Sequence, residues 1–89
     1  MRQINLIRNA WNWHGQEVQY ETFRLITLLM DDGDYYMFAG FAQNGARLWT
    51  LDKSKAVIFA DDREAWNFVE KYIPKKERNR LLIRFGSIK

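Results

Sequence analysis

The 89-residue chain has no cysteine, one proline, one histidine and two serines, and each scarcity removes a chemistry. Without thiols there is no disulfide, no thiolate zinc site and no cysteine nucleophile. His14 alone cannot build a two-histidine metal site or an imidazole relay, and its place beside Gly15 reads as a turn. Ser54 and Ser87 lie outside any G-x-S-x-G elbow, and the five scattered glycines form neither G-x-G-x-x-G nor a phosphate loop. No apolar run approaches the ~20 residues of a membrane span. The opening run Ile4-Asn5-Leu6-Ile7 is too interrupted for a signal peptide. The expectation is a cytoplasmic, non-enzymatic protein with no cofactor, no metal, no membrane partner and no catalytic residues.

What is abundant is aromatic and basic. Phe, Tyr and Trp make up 16% of the chain, enough to drive one core in one domain, 1–89. The net charge of +3 is uneven. Residues 1–70 carry seven Lys/Arg against ten Asp/Glu, whereas residues 71–89 carry seven against Glu77 alone. A mildly acidic body with a basic C-terminal end speaks to partners rather than to fold.

Along the chain, residues 3–13 support two readings. Ile4, Ile7 and Trp11 have helical spacing, but Asn5, Asn9 and Asn12 are poor helix formers, and Trp11-Asn12-Trp13 alternates as a strand turning at His14-Gly15. Strand is the preferred reading, with a second helix at the N-terminus as the alternative. Val18, Tyr20 and Thr22 alternate in one register and Phe23, Leu25, Thr27 and Leu29 in another, which predicts a bend near Thr22-Phe23. Ile26, Leu28 and Met30 make the end of this strand apolar on both faces, hence central in a sheet.

Asp31-Asp32-Gly33-Asp34 and Asn44-Gly45 are hairpin turns flanking a strand over 35–42, with another over 47–51. A short buried strand is expected over 56–59. A helix over about 62–73 follows, capped by Asp61 with Glu64 three residues on and stopped by Pro74. Its stripe is Ala65, Phe68, Val69, Tyr72 and Ile73, with Trp66 beside it. A last strand alternates over 80–85. The fold class is α+β, a mainly antiparallel sheet with one principal helix on one face. Turn and capping roles account for Asp31, Asp32, Asp34, Asp61, Asp62 and Glu64 without a cation site or an acid–base pair.

The order of an aromatic strand, an Asn-Gly turn, Leu48-Trp49-Thr50, Lys55-Ala56-Val57-Ile58-Phe59, an acidic cap and a helix with Ala65 and Phe68 resembles a module of small uncharacterised phage and mobile-element proteins. The likeness covers about residues 35–73 and has no catalytic residue to transfer. It implies a modulator or inhibitor of a host protein, or an accessory factor on nucleic acid.

Two sets of candidate contact residues follow. Helix and strands are expected to bury Phe23, Tyr36, Phe38, Trp49, Phe59, Trp66, Phe68, Tyr72 and Phe85. That leaves Trp11, Trp13, Tyr20, Tyr35 and Phe41 as a partner-binding surface, for a host protein or a second copy in a homodimer. The basic set, Lys71, Lys75, Lys76, Arg78, Arg80 and Arg84, is the alternative, a nucleic-acid-binding end. A third reading is a small-molecule sponge with its pocket at an oligomer interface.

Overall fold

The computed structural model describes residues 10–87. Four antiparallel strands, β1 (Thr22–Leu29), β2 (Tyr35–Phe41), β3 (Arg47–Thr50) and β4 (Leu81–Ser87), form one sheet in the order β3-β2-β1-β4, and the one α-helix among the described residues, α1 (Asp62–Tyr72), lies on one face. This is the α+β architecture expected from the sequence. The reading of residues 3–9 lies outside the described residues. In residues 10–13 a strand-like bridge is present, Trp11 pairing with Glu17 and with Val57.

Turn chemistry sets the registers. Gly33, at φ +88°, takes the left-handed conformation that turns β1 into β2, and Met30 N–H donates to Asp34 O (2.9 Å) across the turn. Asp32 organises it further, accepting from the Asp34 amide (2.9 Å) and the Tyr36 hydroxyl (2.7 Å). The Tyr36 bond, followed by the Asp34 amide, holds the Asp32 carboxyl below the ordinary carboxylate range. The same bond raises the Tyr36 phenol. A depressed Asp pKa contributes stability above its unfolded value and loses it as pH falls through the folded one. A raised Tyr pKa contributes below its unfolded value and loses it as pH climbs through the folded one. Tyr36→Phe is therefore expected to move the Asp32 midpoint upwards in an NMR acid titration; an unmoved midpoint contradicts the assignment.

β1 and β2 pair only at Thr27–Leu29 with Tyr35–Met37, then part. Residues 56–59 close the opening: Val57 N–H donates to Phe38 O (2.9 Å), and Phe59 and Arg24 exchange both backbone bonds (2.9 and 2.7 Å). Ile58 turns its N–H the other way, to Trp11 O (2.9 Å). This four-residue run is apolar throughout because it is covered on both sides. Val57 and Phe59 join Ile26, Phe38, Ala65, Phe68, Val69 and Ile73 under the helix. Ala56 and Ile58 join Ala10, Phe23 and Leu25 on the other side, with Val18, Tyr20 and Met37 packed against them. The two strand registers expected around Thr22 are resolved simply: β1 begins there, and residues 18–21 precede it without joining the sheet.

The helix starts and stops as its sequence dictates. Asp61 accepts from Glu64 N–H (2.9 Å), and the Glu64 carboxylate reaches back to the Ala60 amide (3.0 Å), one residue further than the usual reciprocal box. Pro74 follows the last turn, and a 3-10 turn over Lys75–Arg80 leads into β4.

Candidate binding face

The pleat of β1 sorts the sheet into two unlike faces. Ile26 and its register partner Ile83 face the helix with Phe38 and Trp49. Thr27 stands on the other face, in a row that runs Leu82, Thr27, Met37, Thr50 across all four strands. Thr27 is buried and its hydroxyl donates to Leu82 O (2.6 Å), so the one polar group in the middle of that row is satisfied internally.

This second face is only partly covered. Phe23 and Leu25 are buried within the second cluster, whereas Tyr35 (39% exposed), Leu48 (43%), Leu51 (56%) and Leu82 (43%) remain open to solvent. A cleft of about 320 Å³ opens on this side between Tyr35, Met37 and Leu51 at one wall and Arg84 and Gly86 at the other, with Lys53 at its rim. At Gly86 the Phe23 ring fills the space that a side chain would take, so ring and bare backbone lie in contact.

The five aromatic residues singled out from the sequence are not gathered into one patch. Trp13 is half-buried, its ring 5.3 Å from Phe68, 5.1 Å from Tyr72 and 3.8 Å from His14. Phe41 meets the same helix residues at 6.0 and 5.8 Å while remaining 39% exposed. Tyr35 stands on the helix-free side. Tyr20 is half-buried against the second cluster, and its hydroxyl pKa is raised by burial first and then by the Glu64 and Asp61 charges. Trp11 engages through its backbone and leaves its ring 40% exposed.

Two rings expected in the core are outside it. Trp66 is 45% exposed because it sits beside the helical stripe, not on it. Phe85 is 64% exposed, with the Arg24 guanidinium 4.8 Å over its ring, and Arg24 in turn pairs with Asp62 at the helix start (2.6 Å).

The basic set divides as well. Arg78 is structural: Nε donates to Ile73 O (3.0 Å) and Nη2 to Glu70 O (3.1 Å), satisfying carbonyls at the end of α1. Arg80 binds Leu29 O (3.2 Å) and Asp31 (3.1 Å), tying the start of β4 to the first hairpin turn. Glu77, the lone acid of the basic end, is held by both oxygens on Arg47 Nη2 (3.0 Å each). Lys71, Lys75 and Lys76 are exposed near the end of the helix, and Arg84 lies on the cleft. Arg78→Ala is expected to cost about 1.5–3 kcal/mol, the range for hydrogen bonds from charged donors, and Arg78→Lys should recover little of it because an ammonium cannot span two carbonyls as the fork does. Urea unfolding of the two variants checks this; Arg78→Ala at wild-type stability contradicts the capping role.

Sequence reasoning missed Leu48, Leu51, Leu82 and Lys53. The signal was present in the alternation of β4, where Leu82 and Arg84 oppose Leu81 and Ile83, but β1 is apolar on both faces and so did not say which side the helix leaves open.

Among the described residues no cluster of His, Asp and Glu is arranged to hold a metal, and no helix is long and apolar enough to cross a membrane. Fold and surface together define a small α+β domain with one sheet face left partly open. No family model, curated protein or solved structure matches the chain.

Proposed function

We propose that the protein acts by binding another protein through the helix-free face of its sheet, as a non-enzymatic modulator of that partner. The resemblance of residues 35–73 to mobile-element proteins extends the reading to a partner supplied by a host cell. The observation that carries it is that Tyr35, Leu48, Leu51 and Leu82, all more than a third exposed, fall on one side of the sheet, Tyr35 and Leu51 at the cleft and Leu82 and Leu48 by strand register and alternation. Single exposed apolar chains are ordinary; several sharing one face of a small domain mark a contact surface.

The nucleic-acid reading draws on fewer cations than the sequence offered. Arg78 and Arg80 are engaged within the chain, which leaves Lys71, Lys75 and Lys76 together and Arg84 apart from them.

Affinity capture from a lysate with matched variants tests the proposal. Tyr35→Ala with Leu82→Glu is expected to reduce the captured protein by roughly tenfold or more, as loss of a contact centre does, while Trp66→Glu on the helix leaves it unchanged. The reverse pattern contradicts it. So does recovery of nucleic acid whose binding falls steeply with salt and depends on Lys71, Lys75 and Lys76.

A further inference from the structure

We infer that the segment which occupies the open face is an acidic peptide, a stretch of partner chain in which carboxylates alternate with apolar side chains. This rests on the reading of that face as a protein-binding surface and names the chemistry of what it binds.

The cleft is lined by a mixture of apolar chains, Phe23, Leu25, Met37, Leu51 and Phe85, and polar ones, and the only ionisable side chains besides the Tyr35 phenol that line it are Lys53 and Arg84. Both are exposed, and among the described residues neither has a carboxylate partner; the ion pairs there are Arg24–Asp62, Arg47–Glu77 and Arg80–Asp31. The acid nearest in sequence, Asp52, does not line the cleft. Its carboxylate accepts from the Ser54 amide (3.0 Å) and the Ser54 hydroxyl (2.8 Å), capping the 3-10 turn Lys53–Lys55, and these two bonds lower its pKa.

The hairpin acids are committed elsewhere: Asp31 to Arg80, and Asp32 to Tyr36 and the Asp34 amide. A cleft that joins apolar chains to two cations with no ion-pair partner among the described residues selects a ligand that is apolar and anionic at once.

Shape and chemistry then choose among anionic ligands. A small amphiphile is bound in an enclosed pocket that covers most of its surface. This cleft lies open along the sheet, with Leu51 at its wall more than half exposed. A single nucleic-acid strand needs ring faces on which to stack bases. Here two exposed rings line the cleft, and one of them, Phe85, already carries the Arg24 guanidinium 4.8 Å over its ring, which leaves Tyr35 alone for stacking; aliphatic Leu51 lies in the cleft, and Leu82 is on the same face of the sheet. An extended peptide suits the remaining description: alternate side chains meet Met37, Leu51 and Tyr35 while their neighbours reach Lys53 and Arg84.

The test is a selection of random twelve-residue displayed peptides on the wild-type protein and, in parallel, on a Lys53→Glu/Arg84→Glu double variant whose fold is checked by circular dichroism. Wild type should enrich peptides with Asp or Glu among apolar residues. The synthetic winner should bind the double variant at least roughly tenfold more weakly, about 1.4 kcal/mol. The double variant should itself enrich Lys- or Arg-bearing peptides. Enrichment without acids, or an unchanged preference after charge reversal, overturns the inference. So does failure to enrich any peptide, displacement of the winner by a twelve-nucleotide oligo(dT), or a homodimer in solution that Leu82→Glu dissociates. Winners that ignore the charge reversal but are lost on Tyr35→Ala with Leu82→Glu defeat the acidic partner and leave the contact face standing. Winners indifferent to Tyr35 and Leu82 defeat the face itself.

Discussion

Phe68→Ala is expected to lower the unfolding free energy by about 3–5 kcal/mol, the range for deleting a buried Phe side chain. The position is exceptional because five rings converge on it. Phe38, Phe59 and Trp13 lie 5.0, 5.4 and 5.3 Å from its centroid, and Tyr72 and Phe41 lie at 4.8 and 6.0 Å. It therefore joins the helix, β2, the 56–59 segment and the turn that carries Trp13 in one contact set. Folded domains carry roughly 0.05–0.15 kcal/mol per residue, so a chain of this size has only about 4–13 kcal/mol to lose, and the variant should sit close to unfolding at room temperature. Trp66→Ala, two positions earlier on the same helix, is expected to change stability by no more than about 0.5 kcal/mol because its ring is half in water. Urea midpoints of the pair decide the matter, and equal losses would refute the assignment of Phe68 as the centre of the core.

The second large effect is at Gly86. This glycine needs no unusual φ; what it provides is room, since an added Cβ would fall inside the contact distance of the Phe23 ring. Phe23 and Gly86 are register partners on β1 and β4, and the ring, nearly fully buried, lies across the bare backbone. Gly86→Ala should cost about 1–3 kcal/mol, as over-packing of a filled site does. The cost has a signature. In a Phe23→Ala background the ring is gone, so adding the methyl at position 86 should cost far less than in wild type, a clear departure from additivity between residues in contact. Equal costs in both backgrounds would place the effect in the strand backbone and not in the ring.

Much of the fold was legible because its local signals agree with one another. Asp-Gly and Asn-Gly fixed two hairpins, the Asp61/Glu64 cap and Pro74 fixed the helix, and an apolar β1 announced a central strand. The site was legible only in part, for reasons of geometry. Alternation tells which residues share a face but not which face a distant helix will cover, so Leu48 and Leu82 went unnoticed while Trp13, half-buried against Phe68 and Tyr72, was assigned to the surface. Charge counting treated residues 71–89 as one cationic end. The chain instead spends Arg78 on helix carbonyls and Arg80 on a turn, pairs Glu77 with Arg47, and carries Arg84 on β4 to the cleft. The Glu77 and Arg80 assignments depend on contacts across 30 to 51 positions of sequence, beyond the reach of any periodic pattern, whereas Arg78 reaches back only five to eight positions to Ile73 and Glu70.

The open sheet face is the centre of this account, and amide NMR on the uniformly labelled domain with and without its captured partner tests it most directly. The account predicts that shifts concentrate at Tyr35, Leu48, Leu51, Leu82 and Arg84, with the helix silent. Shifts confined to Lys71, Lys75, Lys76 and the solvent side of α1 would contradict it.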